Sequence, residues 1–324
     1  MIEIVTPGPL ATVQDLGRHG YYDIGVGFCG AMDPLALIIA NRLVDNDDGA
    51  AVIEFTIGSF EIRFERDTVF ALAGADCAVK LDTVEIPPFW SAHAKAGQVL
   101  KATAPRHGMR TYLAIAGGLA VEPVLGSRST DMKGGFGGLG GRALQAGDRL
   151  PLTTPATLPM ASDFGLDPRA LSSFYEAGYP DEVSVRFLAA AEYSSFEDTA
   201  LDLFRDEAWT IQPDSNRIGY RLAGPVLDLK AKLELRSHGI MPGTIQVPPS
   251  GQPVIQLSDA NTCGGYPKIG VVIAADLWRL GQARLGGKLR FVEVSRQEAI
   301  GELGDQNACM AAVFSQIGES RRAL

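Results

Sequence analysis

Along this chain short alternations of apolar and polar residues are cut repeatedly by Gly, Pro, Asn and Asp, a pattern of strands joined by turns. The first half opens on such an alternation, Ile2-Glu3-Ile4-Val5. Further strands are predicted at Ser59–Phe64, Thr68–Ala73, Ala78–Leu81, Gln98–Ala102 and Arg110–Ile115. Helical spacing interrupts them once: Leu35, Ile38, Ile39 and Leu43 follow Asp33-Pro34, with Asp33 as N-cap and Pro34 at the first helical position, and Asn46–Gly49 ends the run.

The second half reads similarly. Strands are predicted at Val183–Leu188, Trp209–Gln212, Thr244–Val247, Val254–Leu257 and Lys288–Val294. Ser194–Glu197 reads as a capping box opening a helix through Leu201 and Phe204. A second box, Ser295–Glu298, opens a terminal helix with Ile300, Leu303, Met310, Phe314 and Ile317 on one face. Between the halves, Pro151, Pro155, Pro159, Pro168 and Pro180 punctuate a segment whose only predicted element is a short helix around Pro168–Tyr175. The expected organisation is therefore a domain at 1–150, a proline-rich linker at 151–182 and a domain at 183–324 that includes the terminal helix. Ala146–Leu150 and Leu285–Leu289 close the two halves with the same glycine-polar-basic turn, which hints that the domains are related.

Composition narrows the function. With 37 Gly and 19 Pro in 324 residues, many short strands are expected rather than long helices. A net charge of −9 without any Lys/Arg run argues against nucleic acid or an anionic membrane as partner. Neither a signal peptide nor an apolar run long enough to span a bilayer is visible, so a cytoplasmic location is expected. Four scattered Cys and four scattered His give no metal-binding spacing, and no metal is expected.

Gly135–Gly140 matches GxGxxG, but Arg142–Asp148 leads into a turn and not the long helix that a dinucleotide site requires, so a flexible glycine loop is the expectation. Gly281–Lys288 misses the P-loop spacing, and GxSxG and HExxH are absent. The chemistry-bearing residues gather instead in Asp259–Gly270, between two strand-like runs. Gly264 and Gly265 admit close backbone approach, Tyr266-Pro267 fixes the exit, and Lys268 is a lone ammonium, open to reading as a solvated surface lysine or as a ligand to substrate. Asp259 is either a turn-former or a polar ligand, and Cys263, with no nearby His, reads as a packing residue. Arg217 and Arg221 suit the capture of a carboxylate or phosphate, and His238 offers an imidazole suited to proton transfer if it lies in a cleft.

The stretches TPGPLATVQDLGRHGY (6–21), GAMDPLALIIANRLVDN (30–46), RTYLAIAGGLAVEPVLGSRST (110–130), SNRIGYRLAGP (215–225) and GTIQVPPSGQPVIQLSDANTCGGYPKIGVVIAADL (243–277) resemble the KipA family, also called allophanate hydrolase subunit 2 or the biotin-dependent carboxyltransferase family. The resemblance runs over nearly the whole chain. It departs at Asn261, Cys263 and Gly270, where Gln, Thr and Ala are expected. It implies a mainly β fold with a few helices, built as two tandem cyclophilin-like β-barrels. It also implies a subunit of an ATP-dependent 5-oxoprolinase that opens the pyroglutamate lactam to glutamate with a KipI-like subunit and a lactam-hydrolase subunit. On that reading Lys268, Asp259 and His238 are catalytic, and Arg217, Arg221, Gly264, Gly265 and Tyr266 bind a small amide or lactam. ATP is then used together with the partner. The family also implies two alternatives: a carboxyltransferase component of a biotin-dependent urea or amide carboxylase, or a non-catalytic regulator of a KipI-like kinase inhibitor. Asp131-Met132-Lys133-Gly134 is not a biotinyl site, so biotin would have to arrive on another chain.

Overall fold

The computed structural model describes residues 1–153, 163–167, 171 and 182–322. It is mainly β, with four α-helices among the described residues: Pro34–Leu43, Asp198–Asp206, Leu277–Gln282 and Arg296–Arg322. The chain divides into two compact units. The first comprises Met1–Arg18, Cys29–Gly178 and Ala308–Leu324; the second comprises His19–Phe28 and Tyr179–Asn307. The terminal helix is thus shared, its turns through Asn307 grouping with the second unit and the rest with the first.

In the first unit two six-stranded sheets contribute to one apolar core. One sheet carries Ile2, Ile4, Phe60, Ile62 and Phe64; the other carries Val13, Ile53, Phe70, Leu72 and Leu113. Thr68–Asp76 lies between Trp90–Ala94 and His107–Ile115, and a strand flanked on both edges and buried nearly throughout accounts for the run Val69-Phe70-Ala71-Leu72-Ala73. Asp33 caps its helix as expected, its carboxylate accepting the Ala36 N–H at 3.1 Å.

The glycine run Gly135–Gly141 is not the flexible loop expected. A Cβ at Gly137, Gly138 or Gly141 would collide with Ser129, Thr130 or Gly135, and the Arg18 guanidinium stacks over Phe136 at 4.7 Å. These glycines let the chain fold tightly on itself and open no helix. Most of the proline-rich segment, including the helix read around Pro168–Tyr175, falls outside the described residues. Of the part described, Phe164–Gly165 adds an edge strand beside Trp90 and Ser91.

The second unit is a closed barrel, ordered Glu182–Ala189, Lys268–Val272, Thr244–Gln246, Val254–Gln256, Gly219–Ala223, Trp209–Ile211 and Lys288–Glu293. The last strand runs parallel to the first and closes the ring; the other pairs are antiparallel. Phe187, Phe204 and Phe291 pack together, with Phe204 stacked on Phe291 at 4.4 Å.

Two helix-start expectations separate here. The Ser295–Glu298 box forms in both directions, at 2.7 and 3.2 Å. The Ser194–Glu197 box does not form: buried Phe196 is extended and bridges Leu229, so the serines stay in a 3-10 turn and Glu197 becomes the N-cap without a side-chain bond. Along the terminal helix Met310, Val313 and Ile317 are buried, whereas Ile300, 53 % exposed, and Leu303 face outward.

Candidate functional site

The Asp259–Gly270 segment belongs to the second unit and carries a polar cluster. Lys268 opens a barrel strand with its backbone N–H on the Glu192 carboxylate at 3.1 Å. It is the Cα partner of Gln246 on the neighbouring strand, so the two side chains leave the ladder on one face. Gln256, from the next strand, donates to Gln246 Oε1 at 3.1 Å. A short ribbon crosses this group, with His238 opposite Gly264 and Gly239 opposite Cys263.

Lys268 is no surface lysine: it is 5 % exposed. Its Nζ donates to the Gly264 carbonyl at 3.2 Å and stands 3.5 Å from His238 Nδ1. Burial pulls the ammonium below the ordinary lysine value, while the Glu192 carboxylate acts in the opposite sense. His238 is exposed on the ribbon, and its Nδ1 also lies 3.1 Å from the Arg236 carbonyl. One ring nitrogen thus faces both an acceptor and an amine. A protonated Nδ1 serves Arg236, whereas a bare Nδ1 accepts from Lys268, so the tautomer and the lysine proton are coupled.

Asp259 and Arg217 are brought together with each other. Their side chains form a two-bond fork, Nε to Oδ2 and Nη2 to Oδ1, each 2.9 Å, and both are buried. The Asp259 N–H also donates to the Arg217 carbonyl at 3.0 Å. The pair ties the start of the loop to the turn before Gly219–Ala223. Arg221, by contrast, is largely exposed and reaches Asp214 at 3.2 Å.

Both glycines lie in close quarters. A Cβ at Gly264 would stand 2.5 Å from Gln246 Nε2, and one at Gly265 would stand 3.0 Å from the Leu235 carbonyl. Tyr266, 49 % exposed, lines a cavity of about 450 Å³ with Val226, Leu229, Leu235, Val247 and Pro267. Cys263 is a free, exposed thiol. Tyr22 donates its hydroxyl to the Ile240 carbonyl beside the ribbon and stacks on Phe28 at 4.5 Å; burial, with Cys263 nearby, pushes its phenol up.

Sequence reasoning missed Gln246, Gln256 and Glu192, because strand pairing brings the glutamines, and the turn after Glu182–Ala189 brings Glu192, to Lys268. The one signal available was the pair of strands ending in Gln on either side of the Pro248–Pro253 turn. Chemically the group offers an ammonium and carboxamide donors to an acceptor oxygen, with an imidazole at hand for proton movement. Among the described residues no group of three or more His, Cys, Asp or Glu is placed to hold a metal, and no helix is long and apolar enough to cross a membrane.

Comparison with known proteins concerns the chain as a whole. The family described as "Carboxyltransferase domain, subdomain A and B" matches residues 24–293. The chain is 43 % identical to the C subunit of the Escherichia coli 5-oxoprolinase over 94 % of its own length and 95 % of that protein. It is 41 % identical to the C subunit of the Haemophilus influenzae 5-oxoprolinase over 92 % of this chain and 93 % of that one. Among solved structures, the urea amidolyase of Kluyveromyces lactis superposes with a TM-score of 0.88 at 30 % identity, covering 96 % of this chain and 20 % of that one.

Proposed function

The chain belongs to the carboxyltransferase domain family with subdomains A and B, and from that premise we propose that it is the C-type subunit of an ATP-dependent 5-oxoprolinase. The observation that carries this reading is its end-to-end likeness to free-standing 5-oxoprolinase C subunits. The urea enzymes match it only as a portion of much larger polypeptides. In this role it works in the cytoplasm with a KipI-like subunit and a lactam-hydrolase subunit, and the substrate is 5-oxoproline, whose ring amide opens to glutamate.

The residues of the cluster suit the amide end of that reaction. Lys268 Nζ neutralises charge that develops on the carbonyl oxygen, in a buried setting where such a contact is strong. His238 takes up or returns the proton through its contact with the lysine. Asp259 and Arg217 hold the loop in place as a mutual pair, and Tyr266 with Gly265 borders a cavity whose lining includes none of Lys268, His238 or Gln246. Arg221, free to swing from its exposed pair with Asp214, supplies a carboxylate contact.

ATP would supply a phosphoryl group to activate the amide oxygen. The described residues do not fit a phosphate cradle: the glycine run that most nearly matches one is packed on itself and opens no helix. No step through the nucleotide is assigned to this chain, and the nucleotide contacts are expected from the partner. The likeness to urea amidolyase favours a second reading, carboxyl transfer to urea or a related amide, with biotin carried on another chain.

Copurification with the native partners followed by an assay of glutamate release tests the proposal. Turnover that needs both ATP and the partners is expected. Rapid hydrolysis by the isolated chain, or none by the complex, would overturn it.

A further inference from the structure

Gln246 is 5 % exposed, and its carboxamide nitrogen has no hydrogen-bond partner among the described residues. Leaving such a donor unpaired inside a protein costs about 1–3 kcal/mol, so its retention needs a cause. Its orientation is fixed from behind, because Gln256 donates to Gln246 Oε1 and turns Nε2 toward Gly264. Gly264 is also where the Lys268 ammonium points, bonded to its carbonyl at 3.2 Å. Two donors from facing strand positions therefore both stand against Gly264, the ammonium on its carbonyl oxygen and the carboxamide on the open side of its α-carbon, where a Cβ would lie 2.5 Å from Nε2.

We propose that Gln246 Nε2 and Lys268 Nζ form a two-donor seat for the carbonyl oxygen of an amide ligand, which Gly264 covers in this conformation while bonding the lysine alone. The Gly264–Gly265 peptide is itself an amide whose oxygen rests on the lysine, so it stands in for the ligand at that donor and leaves the Gln246 donor unpaired. The cover is light. The ribbon has two register pairs, His238 with Gly264 and Gly239 with Cys263, and beyond them an Ile240 N–H bond to the Thr262 carbonyl at 3.1 Å. Drawing Gly264 away from the lysine, with the His238 strand left in place, exposes both donors and frees the Gln246 amide to make the bond it lacks. Gln246 thereby discriminates ligands that present a carbonyl oxygen from those that do not. The inference rests on the reading that the substrate is an amide; it does not depend on which amide.

The test is calorimetric binding of 5-oxoproline and, separately, urea to the purified complex without ATP, with melting curves alongside. Gln246→Met keeps the volume and removes the donor. It should weaken binding of the amide roughly tenfold, the worth of one hydrogen bond, with the melting temperature unchanged or raised because the unpaired donor is gone. Gln246→Glu keeps the acceptor that Gln256 uses and should weaken binding at least as much; it decides the matter if the methionine variant does not fold. A dissociation constant within twofold of wild type in either folded variant would overturn the seat and leave Nε2 to a structural water. Wild type that turns over 5-oxoproline while both variants bind it normally removes the seat but not the 5-oxoprolinase reading. Wild type that binds only urea, with that binding lost in Gln246→Met, keeps the seat and removes the 5-oxoproline reading.

Discussion

Removing Arg217 separates a structural duty from a catalytic one at Asp259. The two side chains are 2 % and 7 % exposed and share two bonds of 2.9 Å. Arg217→Met leaves the carboxylate buried without its counter-charge, and breaking a buried pair in this way costs about 3–5 kcal/mol. At roughly 2–4 °C per kcal/mol for a domain of this size, the second unit should melt about 6–20 °C lower. Arg221→Met provides the internal control. Its pair with Asp214 is 62 % and 68 % exposed, and such a pair contributes about 0–1 kcal/mol. The double variant Arg217→Met/Asp259→Leu removes both charges together and should recover much of the loss. Thermal and urea melts of the full chain give these values, with activity of the complex measured well below the transition. Equal melting temperatures for Arg217→Met and Arg221→Met would refute the reasoning. A large fall in activity at unchanged stability would instead return Asp259 to proton transfer.

Other expectations follow from single contacts. Because burial lowers the Lys268 pKa from 10.5, the alkaline limb of the pH–rate profile should lie below 10.5 as the ammonium loses its proton. In Lys268→Arg that limb should vanish, since a guanidinium stays charged; a limb unmoved by the change would assign it to another group. Gly270→Ala should destabilise the chain by about 1–3 kcal/mol, because the new Cβ would sit 2.5 Å from Phe187 Cδ2 in the packed aromatic cluster. A melt indistinguishable from wild type would show that Phe187 has room to move. Ser295→Ala should weaken the terminal helix by about 0.5–2 kcal/mol, checked by chemical denaturation, since that hydroxyl caps the Glu298 N–H.

What could be read before folding was local. Asp33-Pro34 and Ser295–Glu298 announce helix starts because cap and helix are adjacent in sequence, and the structure shows both. Ser194–Glu197 has the same letters, yet buried Phe196 pulls the chain into an extended bridge with Leu229 and detaches the serines from the helix. The loop with Gly264, Gly265 and Lys268 stood out by composition alone. The burial of Lys268 did not, because it depends on Gln246, Glu192 and His238, which are distant in sequence and are brought together only by the fold. Likewise Arg217 and Asp259 were visible as separate charged residues, and nothing across their separation of 42 positions signals that they satisfy each other.

On the proposed reading this chain, through Lys268, serves ATP-dependent opening of 5-oxoproline within a complex. Its most direct test is glutamate release by complexes reconstituted with wild-type or Lys268→Met chains; methionine is chosen because the side chain is buried and its volume must be kept. The account predicts ATP-dependent turnover with the wild-type chain and a fall of about tenfold or more in kcat with Lys268→Met, at a closely similar melting temperature. Wild-type turnover in the Lys268→Met complex, or no 5-oxoproline turnover in the wild-type complex, would contradict it.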